Sequence, residues 1–341
     1  MFKIDYNSIV KEREKMAKVH GSNIAIISLG SNDNLAKEIA KGLGVKLLDV
    51  SIACFADGEV NIDVKETVRG HNVFVVQSTS FPVDENYMKL FIMIDALKRA
   101  SAKTINIIMP YYGYSRQDRK AGPRQPISAK LMADLLTTAG ATRVLAMDLH
   151  AAQIQGFFDI PIDGLEATPI FVNYILKKKF KDIVIVSPDH GGAKRASKYA
   201  DYLGNAPLAI IDKRRPKPNV VEINALIGDV KDKTAIIVDD MVDTAGSLMA
   251  AIDTLLKAGA KEVYMLATHG ILSGSAIERI QNSKLKKLII TNTIEQPIEK
   301  QIDKIEVLSV AKIFTYAILN IIDNKSLSYL FGYSEDSDFN D

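Results

Sequence analysis

Short apolar runs punctuate the chain, and stretches with helical spacing of apolar residues lie between several of them. The runs Ile24–Leu29, Val73–Gln77, Thr104–Met109, Arg143–Met147, Ile183–Ser187, Ala235–Val238 and Glu262–Ala267 are rich in Val and Ile and bounded by Gly, Pro, Ser or Asp. Continuous rather than alternating apolarity marks strands buried on both faces, as in a parallel sheet. Asn34–Leu43, Tyr87–Ala100, Ser128–Ala139 and Ser247–Ala258 are predicted helices. Strand–helix–strand alternation predicts βαβ units, hence an α/β fold with a mainly parallel sheet and helices on both faces.

The pattern occurs twice. Ile94-Asp-Ala-Leu-Lys-Arg-Ala-Ser-Ala-Lys-Thr-Ile105 aligns without gaps on Ile252-Asp-Thr-Leu-Leu-Lys-Ala-Gly-Ala-Lys-Glu-Val263, an offset of 158. Upstream, Ala36, Ala40, Leu43 and Gly44 match Ala196, Ala200, Leu203 and Gly204 at an offset of 160. A helix, its exit loop and the following strand all align, which predicts two diverged copies of one domain. The expected domains are 22–165 and 166–320, with 321–332 packing back onto the first and with extensions at 1–21 and 333–341. A site kept by one copy and lost by the other should then show as a local difference.

Composition narrows the function. Lys and Arg number 43 against 41 Asp and Glu, so the net charge of +2 gives no general attraction to nucleic acid. Tryptophan is absent and aromatics make up 7% of the residues, which leaves few platforms for stacking bases. The single cysteine, Cys54, excludes an intrachain disulfide and a cysteine-based zinc site. Mixed charge over Lys11–Lys15 is unlike a secretory signal, and no run approaches the ~20 apolar residues of a membrane helix. A cytoplasmic protein without nucleic-acid or membrane partners is expected.

The most informative segment follows the run Ala235–Val238. It reads Asp239-Asp240-Met241-Val242-Asp243-Thr244-Ala245-Gly246-Ser247 and leads into a predicted helix. Ligands of open parallel sheets bind at the carboxyl ends of strands. The small residues Thr244–Ser247 can close their backbone N–H groups around a phosphate at a helix N-terminus. The adjacent acids Asp239 and Asp240 would repel a bare phosphate but suit sugar hydroxyls, which donate to them. A phosphate at one end and a vicinal diol at the other describe a ligand such as ribose 5-phosphate. The first copy carries Gln77-Ser-Thr-Ser-Phe-Pro-Val-Asp84 at the corresponding place, so this site is expected in the second copy alone.

Val238–Ser247 resembles the phosphoribosyl diphosphate-binding loop shared by type I phosphoribosyltransferases and ribose-phosphate diphosphokinases. Four further segments resemble the class I diphosphokinases: Phe55-Ala-Asp-Gly-Glu59, Tyr114-Ser-Arg-Gln-Asp-Arg-Lys120, Ser187-Pro-Asp-His-Gly-Gly192 and Asp212-Lys-Arg-Arg-Pro-Lys-Pro-Asn219. Their order also fits, and the resemblance covers roughly residues 22–331. It implies two domains of type I phosphoribosyltransferase-like fold. The implied reaction is transfer of the β,γ-diphosphoryl group of ATP to the 1-hydroxyl of ribose 5-phosphate, giving phosphoribosyl diphosphate and AMP for nucleotide biosynthesis.

The resemblance also assigns roles. Lys213 and Arg215 become catalytic, in a loop closing over the transferring group, and Arg215 also contacts ribose 5-phosphate. By themselves, three consecutive cations among prolines favour a functional loop over the alternative, a solvated surface turn. Phe55, Asp57, Gly58 and Glu59 are assigned to the adenine end of ATP, with Arg116 and Gln117 beside them; taken alone, Phe55–Glu59 reads equally as a hairpin turn. Asp239, Asp240, Asp243, Thr244, Ala245, Gly246 and Ser247 hold ribose 5-phosphate. His150 and Asp189 become ligands of Mg2+, the expected cofactor. Because the family's adenine-side loop comes from a neighbouring subunit, a homo-oligomer is implied, a hexamer built from dimers. Gly122-Pro123-Arg124-Gln125-Pro126 departs from the family's usual Arg-Ser-Arg-Glu-Pro, so a weaker response to phosphate is expected.

Overall fold

The computed structural model describes residues 23–217 and 220–331, with side chains throughout except over 213–224 and at 329 and 331. It divides into two compact units. The first contains β1 (Ile24–Ser28), α1 (Asp33–Leu43), β2 (Val50–Cys54), β3 (Val60–Val64), β4 (Asn72–Val76), α2 (Val83–Arg99), β5 (Thr104–Met109), α3 (Ser128–Ala139), β6 (Arg143–Met147) and β7 (Ile162–Leu165). Its main sheet is wholly parallel in the order β1-β4-β5-β6-β7, and β2 and β3 form a separate antiparallel hairpin.

The second unit contains α4 (Thr168–Lys178), β8 (Ile183–Ser187), α5 (Ala193–Tyr202), β9 (Leu208–Lys217), β10 (Val220–Ile227), β11 (Thr234–Val242), α6 (Gly246–Lys257), β12 (Glu262–Gly270), α7 (Ala276–Asn282), β13 (Lys287–Thr291) and β14 (Ile305–Leu308). The run β8-β11-β12-β13-β14 is parallel and repeats the order of the first sheet strand for strand. Here the inserted hairpin joins the sheet, β9 pairing parallel with β8 and antiparallel with β10.

The duplication extends to individual hydrogen bonds. At the end of α2, the N–H groups of Ala100, Ser101 and Ala102 donate to the carbonyls of Ala96, Lys98 and Leu97. At the end of α6, those of Ala258, Gly259 and Ala260 donate to Thr254, Leu256 and Leu255, the same pattern displaced by 158 residues. Ser101 and Gly259 hold the same left-handed position, at φ +62° and +92°. Ile94 and Leu97 in one copy, and Ile252 and Leu255 in the other, are buried in the core.

Three expectations change. First, the strand beginning at Thr234 runs on through Asp239 and Asp240 to Val242, because β12 keeps pairing with it as far as Gly270. Second, the backbone of Lys213–Lys217 continues β9 and does not form a loop. Beyond Ile210 this strand pairs with β10 alone, so cations and Pro216 do not disturb the sheet interior. Third, the chain returns to the first unit well before residue 321, since Thr293–Glu295 and the described residues from Ser309 onward pack there. That return includes α8 (Ala311–Ile322), in which Ala311 and Ile313–Asn320 are all buried. Gly42 admits α8 against α1: a Cβ there would lie 2.8 Å from Thr315 Oγ1. Each buried Ile or Phe of this helix contributes about 1.5–3 kcal/mol. Among the described residues no helix is long and apolar enough to cross a membrane.

The repeat suggests a stability test. A serine in the left-handed region is disfavoured where glycine is not. Ser101→Gly, which imports the residue of the second copy, should stabilise the protein by about 1 kcal/mol, read as a higher thermal unfolding midpoint. Against this gain stand glycine's larger loss of backbone freedom on folding and the exposed hydrogen bond that the Ser101 hydroxyl accepts from Arg69 Nη1 at 3.2 Å. An unchanged or lowered midpoint would contradict the equivalence.

Candidate functional site

The site expected from the acidic segment forms at the carboxyl end of β11, between β8 and β12. Ala245 takes the left-handed conformation, at φ 60° and ψ 5°, and so turns the chain into α6. The first turn of a helix has N–H groups without intrahelical acceptors, which together with the helix dipole favour an anion. The turn is braced from its far side. Ile271 and Leu272 donate to the Val242 carbonyl at 2.9 and 3.2 Å, the Ser273 hydroxyl donates to Asp243 Oδ1, and Arg279 Nη1 on α7 donates to the Thr244 carbonyl at 2.8 Å. A pocket lies here, lined by Pro188, Asp239, Met241, Asp243, Ala245 and Ser247 among others.

Asp239 and Asp240 share one cation. Arg195, in the first turn of α5, places Nη1 3.1 Å from Asp239 Oδ1 and 3.3 Å from Asp240 Oδ1. Asp239 Oδ1 also accepts the N–H of Asp240 at 2.9 Å. Asp240 is buried and Asp239 partly so. Burial, and then the charge of Asp240, push the Asp239 carboxyl above the usual carboxylate range, while Arg195 works in the opposite direction. Two acids that repel each other are thus kept together by one arginine. Neither Arg195 nor Arg279 stands out in the sequence. For Arg195 the one local signal is its place three residues after Gly192, where the motif after β8 becomes a helix.

The remaining candidates are spread over both units. Phe55, Asp57, Gly58 and Glu59 form the exposed tip of the β2–β3 hairpin, so the hairpin reading of this segment describes its shape. The Phe55 N–H donates to the Glu59 carbonyl at 2.8 Å, the Gly58 N–H to the Phe55 carbonyl at 2.9 Å, and the Glu59 N–H to Asp57 Oδ1 at 3.1 Å. Gly58 sits at φ +95°, and the Phe55 ring is 57% exposed, available for stacking. Arg116 is exposed. Gln117 anchors the start of α3, its Oε1 accepting from the Ser128 hydroxyl at 2.5 Å and its carbonyl from the Ala129 N–H at 3.2 Å.

His150, exposed beyond β6, belongs to the first unit. Asp189 belongs to the second, where its Oδ1 accepts the Gly192 N–H at 3.0 Å and shapes the turn into α5. Among the described residues no three His, Cys, Asp or Glu side chains gather into a preformed metal cluster. Lys213 and Arg215 lie on β9 by their backbone, and their side chains fall outside the described residues.

Residues 24–140 match the N-terminal domain of ribose phosphate pyrophosphokinase, and residues 206–332 match the phosphoribosyl synthetase-associated domain. A ribose-phosphate pyrophosphokinase of Bacillus cereus is 59% identical over 310 residues, covering 91% of this chain and 98% of its own. That of Bacillus subtilis is 57% identical over 309 residues, covering 91% and 97%. The crystal structure of phosphoribosylpyrophosphate synthetase from Mycobacterium smegmatis aligns with a TM-score of 0.84 at 42% identity, over 89% of this chain and 100% of that one. Likeness on this scale spans both units, and the chain belongs to the ribose-phosphate pyrophosphokinase family.

Proposed function

We propose that the chain is an enzyme that transfers the β,γ-diphosphoryl group of ATP to ribose 5-phosphate, giving phosphoribosyl diphosphate and AMP. The observation that carries this reading is the Asp239–Asp240 pair at the carboxyl end of β11, directly before a phosphate-suited turn, in a chain similar over 91% of its length to named pyrophosphokinases. The sugar phosphate would place its phosphate at the N-terminus of α6, around Thr244–Ser247, and its hydroxyls on Asp239 and Asp240, with Asp243 at the turn. The 1-hydroxyl oxygen then attacks the β-phosphorus of ATP. A bond forms between that oxygen and the β-phosphorus, the hydroxyl proton is released to solvent, the bond from the β-phosphorus to the bridging oxygen of the α-phosphate breaks, and AMP leaves with that oxygen.

Such transfers depend mainly on positioning and on stabilising charge. Lys213 and Arg215 are proposed to stabilise the migrating group, and Arg215 also to contact ribose 5-phosphate. At the nucleotide end, the Phe55 ring would stack on adenine, the Asp57–Glu59 tip would accept from its exocyclic amine, and Arg116 and Gln117 would complete that side. His150 and Asp189 are proposed to hold Mg2+. One carboxylate and one imidazole are a sparse protein donor set, which suits an ion that keeps waters and takes phosphate oxygens. When bound, the ion would neutralise phosphate charge. A cytoplasmic homo-oligomer, a hexamer built from dimers, belongs to the same proposal and follows from the family resemblance.

Incubating the purified protein with ATP, Mg2+ and ribose 5-phosphate should form AMP and phosphoribosyl diphosphate in equal amounts. No AMP in the absence of a nucleobase would overturn the proposal. Lys213→Ala should lower turnover by at least about a hundredfold with little change in either KM, and near-normal turnover would remove the lysine from catalysis. Asp189→Asn should raise the Mg2+ concentration needed for half-maximal rate and leave the KM for ribose 5-phosphate unchanged. An unaltered Mg2+ titration would exclude Asp189 as a ligand.

A further inference from the structure

The two copies of the domain provide an internal control for the charges around β11. Strand pairing places Gln77 and Ser78, at the end of β4, where the second copy has Asp239 and Asp240: Asn72 and Thr234 pair with Thr104 and Glu262, themselves equivalent. The helix offset of 160 places Leu35 where the second copy has Arg195. In the first copy Leu35 and Gln77 are fully buried, and Gln77 Nε2 donates to the Asn86 carbonyl and Oδ1 at 3.2 and 3.1 Å. The fold is therefore built with no charge at any of the three positions. Where the acids are present the arginine is present, and where the acids are absent a leucine stands in its place.

The geometry agrees. A single nitrogen, Nη1, lies within 3.3 Å of one oxygen of each carboxylate. Consecutive strand residues point to opposite faces, so two neighbouring aspartates do not by themselves present their carboxylates together. Asp239 Oδ1 turns back to its own neighbour's N–H, and this brings it to the same nitrogen as Asp240 Oδ1. A guanidinium is always charged and planar, with donors in a fixed fork, and so can hold two carboxylates at once. Removing one partner from a buried charged cluster leaves the others uncompensated.

We propose that Arg195 is a positioning residue for the sugar phosphate: its guanidinium holds the Asp239 and Asp240 carboxyl groups side by side, so that two adjacent hydroxyls can be accepted together. This rests on the assignment of the acid pair to ribose 5-phosphate. Arg195 touches the acids and acts through them. Its loss should weaken sugar-phosphate binding much more than the chemical step, and should leave ATP binding alone.

Two variants test this. Arg195→Leu installs the residue of the first copy, which that copy tolerates in the same helix position. Arg195→Lys keeps a cation but gives up the planar fork. Arg195→Leu should raise the KM for ribose 5-phosphate roughly ten- to a hundredfold with kcat and the KM for ATP little changed, and Arg195→Lys should fall between it and the parent protein. Calorimetric titration with ribose 5-phosphate should show the same order of affinities without turnover. An unchanged KM and affinity, a loss confined to kcat, or a lysine variant no better than the leucine variant would each overturn the proposal. If Arg195→Leu does not fold, the intermediate affinity of Arg195→Lys decides it. Failure of the parent protein to form AMP while it still binds ribose 5-phosphate would count against the reaction and leave this inference standing; failure to bind ribose 5-phosphate would overturn both.

Discussion

The second unit's chemistry depends on the parallel pairing of β11 with β8 on one side and β12 on the other. That pairing buries Ala235–Val238 completely and carries the strand on through the acids to Val242. A parallel sheet gathers the carboxyl ends of its strands at one edge. The acid pair, the turn into α6 and the motif after β8 are therefore neighbours although their residues are up to 58 positions apart, from Asp189 to Ser247. Shortening this pairing would separate the acids from the phosphate-suited turn and from the arginine that holds them.

One architecture supports both copies, so the charges are not there to make the fold. The sheet order, the helix ends and even the carbonyls chosen by equivalent N–H groups recur. What differs is confined to strand ends and loops. In the first copy the end of β4 is closed over: Thr79 Oγ1 donates to the Tyr111 carbonyl and accepts the Gly113 N–H. In the second, the equivalent edge keeps a pocket and three ionisable side chains, Arg195, Asp239 and Asp240. Because scaffold stability comes mainly from buried aliphatic side chains such as Ile94 and Ile252, the edge of one copy can do without charged residues and keep the fold.

Much of this was legible in the chain itself. Strand and helix positions followed from local apolar pattern, and Thr104–Met109, Arg143–Met147, Ile183–Ser187 and Ser128–Ala139 recur in the structure residue for residue. The repeat was visible because offsets are a property of sequence alone. The acid pair and the small-residue turn could be read because they are contiguous, and local chemistry requires no knowledge of packing. The proposal of a sugar-phosphate site could thus be drawn from nine residues, Asp239 to Ser247.

Other features required the folded chain. Strand length at Asp239–Val242 depends on whether β12 continues beside it, which no local pattern reports. The strand at Lys213–Lys217 depends on β10, and its polarity argued for a loop because local composition cannot show that a segment has passed beyond its neighbouring strand. The return of α8 to the first unit depends on a glycine, Gly42, more than 250 positions away from Thr315. Arg195 is one basic residue among the 43 in the chain, and its place three residues after Gly192 does not show what it holds. Only pairing 44 and 45 positions away, across two elements, shows that it holds two carboxylates. Contiguous chemistry and periodic burial are written locally and were determined by the sequence; contacts between distant segments arise only when the sheet assembles, and these the tertiary structure decided.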